Sequence, residues 1–240
     1  VAAENIINQV NAINYKTMAY NGQLTGKLKL SVVSTGKYVM PYFISDFINQ
    51  NGGIQLQMDV TNKASVLKSL EKNEVDFSLV SILPSTINYE KIDLIQNKLY
   101  LVGKEKVSIK SKKSLAKFFE EKPLIYREKG SGTRQTMESF IKKNNISITK
   151  KMQLTSNEAV KQALLAGMGY SFMPLIGIKN EIMNESLNIV ELKGTPMKTM
   201  WSLIWLKGKK HSPAASAFLE SLEQEKEKIK KSKFDWYENY

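Results

Sequence analysis

Hydroxyl, amide and cationic side chains follow several predicted strands of this sequence, and one stretch is especially dense in them. Residues 127–140 read REKGSGTRQTMESF, so glycines, hydroxyls and an arginine directly precede an amphipathic helix pattern. The first turn of a helix has backbone N–H groups without partners, and the helix dipole favours negative charge there. This stretch could therefore hold an anion such as a carboxylate or a phosphate.

Three other stretches, VVSTGKY, VTNKAS and LTSNEAV, place the same residue types between a predicted strand and a predicted helix. In open parallel sheets, ligands bind where the carboxyl ends of the strands meet. The four junctions therefore predict one anion-binding cleft. The predicted binding residues are Ser34, Thr35, Lys37, Thr61, Asn62, Lys63, Ser81, Arg127, Ser131, Gly132, Thr133, Arg134 and Asn157.

Each junction also fits an ordinary helix cap. Ser, Thr and Asn are the usual N-cap residues, so a cap alone explains any one of these side chains. GSGTR matches neither the dinucleotide fingerprint nor the phosphate loop of nucleotide hydrolases. Four such junctions at strand ends, three of them with a cation, nevertheless favour an anion cleft over four unrelated caps.

Composition argues against a catalytic or metal centre. The sequence has no Cys and a single His, His211, so thiolate and His-rich metal sites are excluded and a Ser-His-Asp triad has little support. His211 lies in GKKHSPAA and is predicted to be exposed beside a loop. The acids nearest the junctions, Asp59, Asp76 and Glu158, show no general acid/base spacing. We predict binding without reaction, with no cofactor and no metal.

The formal charge of +12 arises from 35 Lys and Arg against 23 Asp and Glu. The lysines are scattered or, at residues 225–232, alternate with acids, which indicates a solvated surface rather than a nucleic-acid patch. No apolar run approaches the roughly 20 residues of a membrane helix, and the N-terminus has no signal-peptide pattern. We therefore expect no membrane partner and a cytoplasmic location.

The elements that must position the junctions alternate between strand and helix. With 240 residues, 42% of them hydrophobic, the chain can bury the core of one large domain or two small ones. The strands LKLSVV, IQLQMDV and VDFSLVSIL alternate with a helix opened by Pro41 and with the helix ASVLKSLEKN. The strands PLIYRE, MQLTS and YSFMP repeat this order. Strands separated by single helices predict parallel pairing through right-handed crossovers.

The last third of the chain completes this pattern. MWSLIWLKG predicts a long buried strand. Ser212 and Pro213 predict the N-cap and first turn of a helix that presents Phe218 and Leu222 to the core. The predicted fold class is α/β, with two Rossmann-like lobes and a cleft between them.

Five segments carry a resemblance to a known family: VVSTGKYVMP, TNKASVLKSLEKNEVDFSLV, REKGSGTRQTMESF, NEAVKQALLAGMGYSFMP and SPAASAFLESL. In them the chain resembles the effector-binding region of LysR-type transcriptional regulators, most closely the regulators of Rubisco operons. The resemblance implies the type 2 periplasmic-binding-protein fold, in which two lobes enclose a hinge cleft. It also implies that Ser131, Thr133 and Arg134 face Ser34 and Thr35 across that cleft.

The same resemblance implies how the chain is divided and what it contacts. Residues 1–22 would end a linker helix, residues 23–103 plus 208–240 would form lobe I, and residues 104–207 would form lobe II. The DNA-binding helix-turn-helix is expected outside these 240 residues. The implied partners are a small phosphorylated or carboxylate effector, further copies in a homodimer or homotetramer, and RNA polymerase for the full-length protein. Thr61 stands where related regulators commonly have Gly.

Two other functions fit the same fold. A periplasmic-type solute-binding protein would have a similar anion cleft, and its gene would encode a signal peptide upstream where a regulator has a helix-turn-helix. An enzyme on this fold is the weaker alternative, because catalytic groups are scarce. The aromatic segment FDWYENY at residues 234–240 could dock on its own lobe or on a partner chain.

Overall fold

The computed structural model describes residues 24–238 and residue 240. The linker helix that the resemblance implies at residues 1–22 falls outside this range. The other predicted elements can be compared with the structure. Within the described residues the strands are β1 (Thr25–Val33), β2 (Gly53–Thr61), β3 (Phe77–Val80), β4 (Tyr89–Gly103), β5 (Ser108–Ile109), β6 (Leu124–Arg127), β7 (Lys151–Leu154), β8 (Ser171–Pro174), β9 (Asn188–Ile189), β10 (Glu191–Leu192) and β11 (Met197–Leu206). The α-helices are α1 (Met40–Gln50), α2 (Lys63–Glu71), α3 (Lys112–Glu121), α4 (Gly132–Lys143), α5 (Asn157–Leu165), α6 (Lys179–Met183) and α7 (Pro213–Glu238).

The strands of the main sheet run in the order β2-β1-β3-β11-β4-β8, and β9 pairs with β4 as well. β1 is parallel to β2 and β3, and β6 is parallel to β7 in a separate sheet, as the alternation of strands and helices predicts. β11 instead runs antiparallel to both β3 and β4. The layered α/β architecture agrees with the predicted fold class.

Buried apolar side chains form three clusters. The largest is built on β1, β3, α1 and α7, and two smaller clusters flank β6. Strand β4 contributes to different clusters along its length. Leu94 and Ile95 belong to the largest cluster, whereas Leu101 and Val102 belong to the smaller ones. The division into lobes at residues 103 and 207 stays a prediction.

β4 and β11 form a long antiparallel ribbon that runs past all three clusters. Their pairing extends from Met197 opposite Leu99 to Leu206 opposite Tyr89. The register shifts between Met200 and Ser202, a sign of a β-bulge. This irregularity lies close to the point where the core clusters change.

The start of α7 confirms the predicted cap. Ser212 Oγ accepts a hydrogen bond from the backbone N–H of Ala215 at 3.2 Å, and Pro213 is the first helical residue. Phe218 and Leu222 are buried in the largest cluster. The helix therefore returns to the sheet of β1 and β3, as its apolar spacing predicts.

The aromatic tail docks on its own chain. Phe234 stacks on Phe43 with ring centroids 5.6 Å apart, and Tyr237 is completely buried. Lys98 of β4 donates from Nζ to the carbonyl oxygens of Tyr237 at 2.8 Å and Glu238 at 3.0 Å. Its backbone N–H donates to Tyr237 Oη at 2.7 Å. These contacts, which we call the tail anchor, fix the end of α7 on β4.

His211 differs from its prediction. Its ring stacks on Phe77 with centroids 5.1 Å apart and meets the edge of Trp205, so it is partly buried rather than exposed. The flat apolar surface of Phe77 explains this position. Burial lowers the pKa of the imidazole, and nearby Lys209 lowers it further. In the part of the chain that the structure describes, no helix has the length and apolar character needed to cross a membrane.

Candidate functional site

The four junctions meet at one contact, which we call the seam: the loops after β1 and β2 lie against those after β6 and β7. Arg127, the last residue of β6, donates from Nη2 to Ser34 Oγ at 3.0 Å and from Nη1 to Asn157 Oδ1. The carbonyl oxygen of Gly130 accepts from the backbone N–H of Ala64 at 3.3 Å. One side chain and one carbonyl thus connect all four junctions.

Arg127 is a buried cation with a single carboxylate partner among the described residues. Its side chain is 2% exposed. Nε and Nη2 donate to the two carboxylate oxygens of Glu128 at 2.8 and 3.0 Å. A buried charge is stable only when it is paired and hydrogen-bonded, and Glu128 with Ser34 and Asn157 meets that requirement here. Glu128, whose side chain is 16% exposed, is thus the counter-charge that a ligand anion could replace.

Among the described residues, the seam contains a buried polar atom without a partner and several hydroxyls that form no hydrogen bond. Asn157 is 1% exposed, and its Nδ2 is buried without a hydrogen bond. Thr35, Ser81 and Thr133 are also buried. In the described residues, no hydrogen bond is formed by their hydroxyls. Since the great majority of buried polar groups are paired, the buried and unpaired Nδ2 of Asn157 marks the seam as a place suited to a polar ligand, and the three hydroxyls are further free donors.

Helix caps occupy three of the four junctions. Asn62 Oδ1 accepts from Ser65 N at 3.0 Å, Ser131 Oγ from Arg134 N at 3.4 Å, and Ser156 Oγ from Ala159 N at 3.0 Å. A capping serine still has its O–H to donate, and a capping asparagine still has its Nδ2. Capping and anion binding are therefore compatible at these residues. Ser34 and Thr35 serve no cap, because the turn at Gly36–Tyr38 has no side-chain cap hydrogen bond.

The backbone conformation at position 130 and the close neighbour Ala64 require a glycine. Its φ of +88° lies in the left-handed region, and a Cβ there would approach the Cβ of Ala64 to 3.1 Å. The glycine therefore allows the loop after β6 to touch the first turn of α2. The backbone at Gly132 lies close to Ser81 in a similar way, since a Cβ at position 132 would be 3.5 Å from Ser81 Oγ. Ser81 thus belongs to the seam although it follows a different strand, β3.

An open pocket of about 580 Å³ adjoins the seam. Its wall includes Lys63, Lys129, Ser131 and Arg134, with Glu138 as an acidic member. Lys63 Nζ donates to Gln135 Oε1 at 3.0 Å across the contact. Burial lowers the pKa of this ammonium. Three cations, Lys63, Lys129 and Arg134, thus line this pocket together with one carboxylate.

Arg134 has a different environment from Arg127. It donates to Glu138 Oε1 at 2.7 Å, to Gln153 Oε1 at 2.8 Å and to the carbonyl oxygen of Arg127 at 3.0 Å. Its guanidinium also lies over the Tyr126 ring, 5.4 Å from the centroid. All of these partners come from the β6–β7 side, and none is Ser34 or Thr35. A direct contact of Arg134 with a ligand stays a prediction.

Lys37 and Thr61 lie apart from the centre of the seam. Lys37 Nζ lies over the Tyr38 ring at 5.1 Å, and the residue lines a separate pocket with Lys179 and Trp236. Thr61 ends β2 opposite Val33, and within the described residues it forms no hydrogen bond with Arg127. The remaining predicted residues, Ser34, Thr35, Asn62, Lys63, Ser81, Arg127, Ser131, Gly132, Thr133 and Asn157, lie in or beside the seam or in the loops and helix starts that form it.

Sequence reasoning missed Glu128 and Gln135, and it left Gly130 out of the predicted binding residues although the glycines of GSGTR permit a positive φ. Glu128 sits beside Arg127 in REKGSGTR, yet adjacency alone does not show that its carboxylate folds back onto the guanidinium. Gln135 is one turn into α4 and has no motif of its own. Only the glycine carries a signal, since a turn before a helix often needs a left-handed residue.

The whole chain resembles proteins of known class. Residues 21–227 match the family model of the LysR substrate binding domain. A RuBisCO operon transcriptional regulator from Allochromatium vinosum is 36% identical over 83% of this chain and 66% of its own length. The transcriptional activator CmpR from Synechocystis is 30% identical over 92% of this chain and 73% of its own. This chain therefore spans about two thirds to three quarters of those two regulators.

A solved structure shows the same fold. The regulatory domain of CcmR from Synechocystis PCC6803, in complex with 2-PG, superposes with a TM-score of 0.73. It is 30% identical, and the match covers 82% of this chain and 96% of that domain. The two-lobed α/β architecture predicted from the sequence is confirmed by this likeness.

Proposed function

This chain belongs to the LysR family of transcriptional regulators, and on that premise we propose that it is a sensing domain that binds a small anionic metabolite at the seam. One observation carries the location. Arg127 is a guanidinium 2% exposed, held between loops from both sides of the seam, with Glu128 as its counter-ion. A ligand anion that replaces Glu128 keeps the buried charge paired and gains the fixed donors around it.

The donors around Arg127 suit an anion with several oxygens. Asn157 Nδ2 is free, and the hydroxyls of Ser34, Thr35 and Thr133 lie on both sides of the contact. The N-termini of α4 and α5 add the positive ends of two helix dipoles. A group such as a phosphate, with three or more acceptor oxygens, can use donors from both sides at once.

The proposed class of effector rests on the donors around Arg127 and on the ligand of the CcmR regulatory domain. The CcmR domain was solved with 2-PG, 2-phosphoglycolate, which combines a phosphate with a carboxylate. We assign the same class, a small phosphorylated carboxylate, to this chain. Its +12 formal charge attracts such an anion, and the cation-rich pocket beside the seam gives it an entrance.

Binding across the seam would change the relative arrangement of its two sides. Ser34, Ala64 and Arg127 already form cross-seam hydrogen bonds in this structure. The energy available for a change of arrangement equals the difference in effector affinity between the two arrangements. In the full-length regulator, we expect this change to alter the geometry of a homodimer or homotetramer, DNA binding by a separate helix-turn-helix, and contact with RNA polymerase in the cytoplasm.

The relatives favour this function over the two alternatives that the sequence left open. Both matched proteins are transcriptional regulators, and neither is a solute-binding protein or an enzyme. We therefore propose that the sensing domain acts by binding its ligand.

Calorimetry with 2-phosphoglycolate tests the proposal. We expect saturable binding to one site, with glycolate and inorganic phosphate binding more weakly because each has only half of the charge pattern. The matched variants are Arg127→Lys and Arg134→Lys, which change the two arginines of one segment in the same way. Arg127→Lys should weaken binding at least tenfold, about 1.4 kcal/mol, because the planar fork is lost.

Arg134→Lys should change the affinity much less, because Glu138 and Gln153 hold that guanidinium. The reverse order of effects would move the anion to the pocket beside the seam. Absence of binding for 2-phosphoglycolate and for other phosphorylated carboxylates would contradict the proposed class of effector.

A further inference from the structure

A second concave surface lies at the opposite end of α4 from the seam. α4 begins at Gly132, in the seam, and ends at Lys143, which lines a groove of about 460 Å³. A helix of this length spans roughly 18 Å at about 1.5 Å per residue, so the groove is a separate site. The start of α3 and the β5–β10 sheet form its other walls. We call it the lysine-rimmed groove.

The floor of the groove is apolar. Ile109, Phe140 and Leu192 are buried members of one core cluster, and Leu115 packs against the same cluster while half-buried. Gly194 closes one side, where a Cβ would come within 3.3 Å of the Phe140 ring. An apolar surface of this kind at the bottom of a concavity favours a hydrocarbon or aromatic group over water.

The rim of the groove is cationic and unpaired. Lys110, Lys112, Lys143 and Lys193 are exposed and line it, and no Asp or Glu does. Among the described residues, none of these four ammonium groups has an ion pair or hydrogen bond. Lys106, on the same side of the sheet of β5 and β10, differs because it pairs with Glu185 at 2.8 Å. The rim is therefore a local excess of positive charge.

We propose that the lysine-rimmed groove binds a small amphipathic anion, a carboxylate or phosphate ester with an apolar body. The apolar body would lie on Leu115, Phe140 and Leu192, and the charged group would reach the lysines. The volume falls within the roughly 300–1,000 Å³ typical of small-molecule pockets. The combination of floor and rim distinguishes this ligand from the effector at the seam, which is polar throughout.

The shape of the groove argues against nucleic acid. Base recognition on a single strand needs exposed aromatic faces, and the one ring in the lining, Phe140, is 7% exposed at the floor. A compact ligand that uses both floor and rim fits it best.

Calorimetric titration with octanoate tests this proposal. Octanol, with the same chain and no charge, and acetate, with the same charge and no chain, are the controls. We expect saturable binding of octanoate to one site, and at least tenfold weaker binding of both controls. Crystals soaked with octanoate should show its chain against Leu115 and Phe140.

Two triple lysine variants distinguish the effect of the rim lysines on octanoate affinity from the effect of the net charge of the whole protein. The triple variant Lys110→Gln, Lys143→Gln, Lys193→Gln should weaken octanoate binding about tenfold or more, because charged contacts at the rim are lost. The triple variant Lys27→Gln, Lys68→Gln, Lys231→Gln removes the same net charge from exposed sites elsewhere and should leave the affinity unchanged. Leu115→Glu should abolish binding, whereas Leu115→Gln should weaken it less.

Four results would overturn the proposal. The first two are a lack of saturable binding of octanoate, benzoate or phenyl phosphate, and an equal affinity for octanoate and octanol. The other two are equal effects of the two sets of lysine substitutions on octanoate affinity, and a dimer that forms through this groove and is lost in Leu115→Glu. The last result, read by light scattering, would assign the groove to a second copy of the chain. Binding of 2-phosphoglycolate at the seam is measured separately, so failure here leaves the proposed function untouched.

Discussion

Lys98 and Arg127 are both buried cations, and the structure satisfies them in different ways. Lys98 donates to the carbonyl oxygens of Tyr237 and Glu238 at the C-terminal end of α7, where the helix dipole favours a positive charge. Arg127 is paired with the carboxylate of Glu128 and with two side chains from other loops. A ligand cannot replace main-chain carbonyls, but it can replace a carboxylate. Lys98 therefore has the features of a structural cation and Arg127 those of a binding one.

The largest expected effect comes from removing the cation of the seam. Arg127→Met leaves Glu128, only 16% exposed, without its partner and should destabilise the fold by about 3 kcal/mol. It should also abolish 2-phosphoglycolate binding. Urea unfolding and calorimetry measure the two effects. The double variant Arg127→Met, Glu128→Gln should regain more than half of the stability without regaining binding, and a failure to regain stability would show that packing rather than charge dominates.

Lys98→Met tests the other half of the comparison. It removes the hydrogen bonds to Tyr237 and Glu238 and should lower the free energy of unfolding by about 2 kcal/mol. Because the hydrogen bonds of Lys98 in the described residues do not involve Arg127 or its partners, the affinity for 2-phosphoglycolate should stay within about twofold. A loss of affinity as large as that of Arg127→Lys would break the distinction between the two cations.

Asn157→Asp tests whether the charge of Arg127 is what binds the effector. The new carboxylate would lie against the guanidinium, where Asn157 Oδ1 now accepts from Nη1. It should compete with an anionic effector and weaken binding about tenfold or more, about 1.4 kcal/mol. Asn157→Ala is the matched control, since it removes the amide without adding charge. Equal affinities for the two variants would show that charge at this position is unimportant.

The smallest effect is expected from the pH dependence of the tail anchor. Burial raises the pKa of Tyr237 above its ordinary value of 10.0. The folded state therefore retains a proton that the unfolded state loses, so this contribution is complete below pH 10 and declines above it. Unfolding measured from pH 8 to pH 11 should show stability falling above pH 10. Tyr237→Phe should reduce that slope and cost about 1 kcal/mol at neutral pH, whereas an unchanged slope would exclude Tyr237 as its source.

Local features of the structure could be predicted from the sequence. The Ser212 cap, the parallel pairing of β1 with β2 and β3, and the burial of Phe218 depend on residues close in the chain or on the regular alternation of elements. The closeness of Arg127 and Asn157 also follows from the parallel pairing of β6 with β7, whereas the approach of Ser34 is a contact between two separate sheets and does not. The antiparallel return of β11 does not, because no local pattern shows which edge a late strand joins.

The division of roles between Arg127 and Arg134 could not be read from REKGSGTR. Arg127 ends a strand and its side chain enters the seam, whereas Arg134 lies in the first turn of α4. Side chains on a helix lean toward its N-terminus, which takes Arg134 back to the carbonyl of Arg127. Likewise, nothing in the sequence places Lys98 under the end of α7, since the two lie 139 positions apart.

The ribbon of β4 and β11 gives the molecule a mechanical property. A ladder of main-chain hydrogen bonds resists stretching and sliding but yields to bending, and it yields most where a bulge interrupts it. That interruption lies between Met200 and Ser202, near the change of core clusters. If effector binding moves the two sides of the seam, we expect the ribbon to bend at this point. Lys98 follows that point in β4 and holds the end of α7, so the C-terminal helix should move with this part of the ribbon.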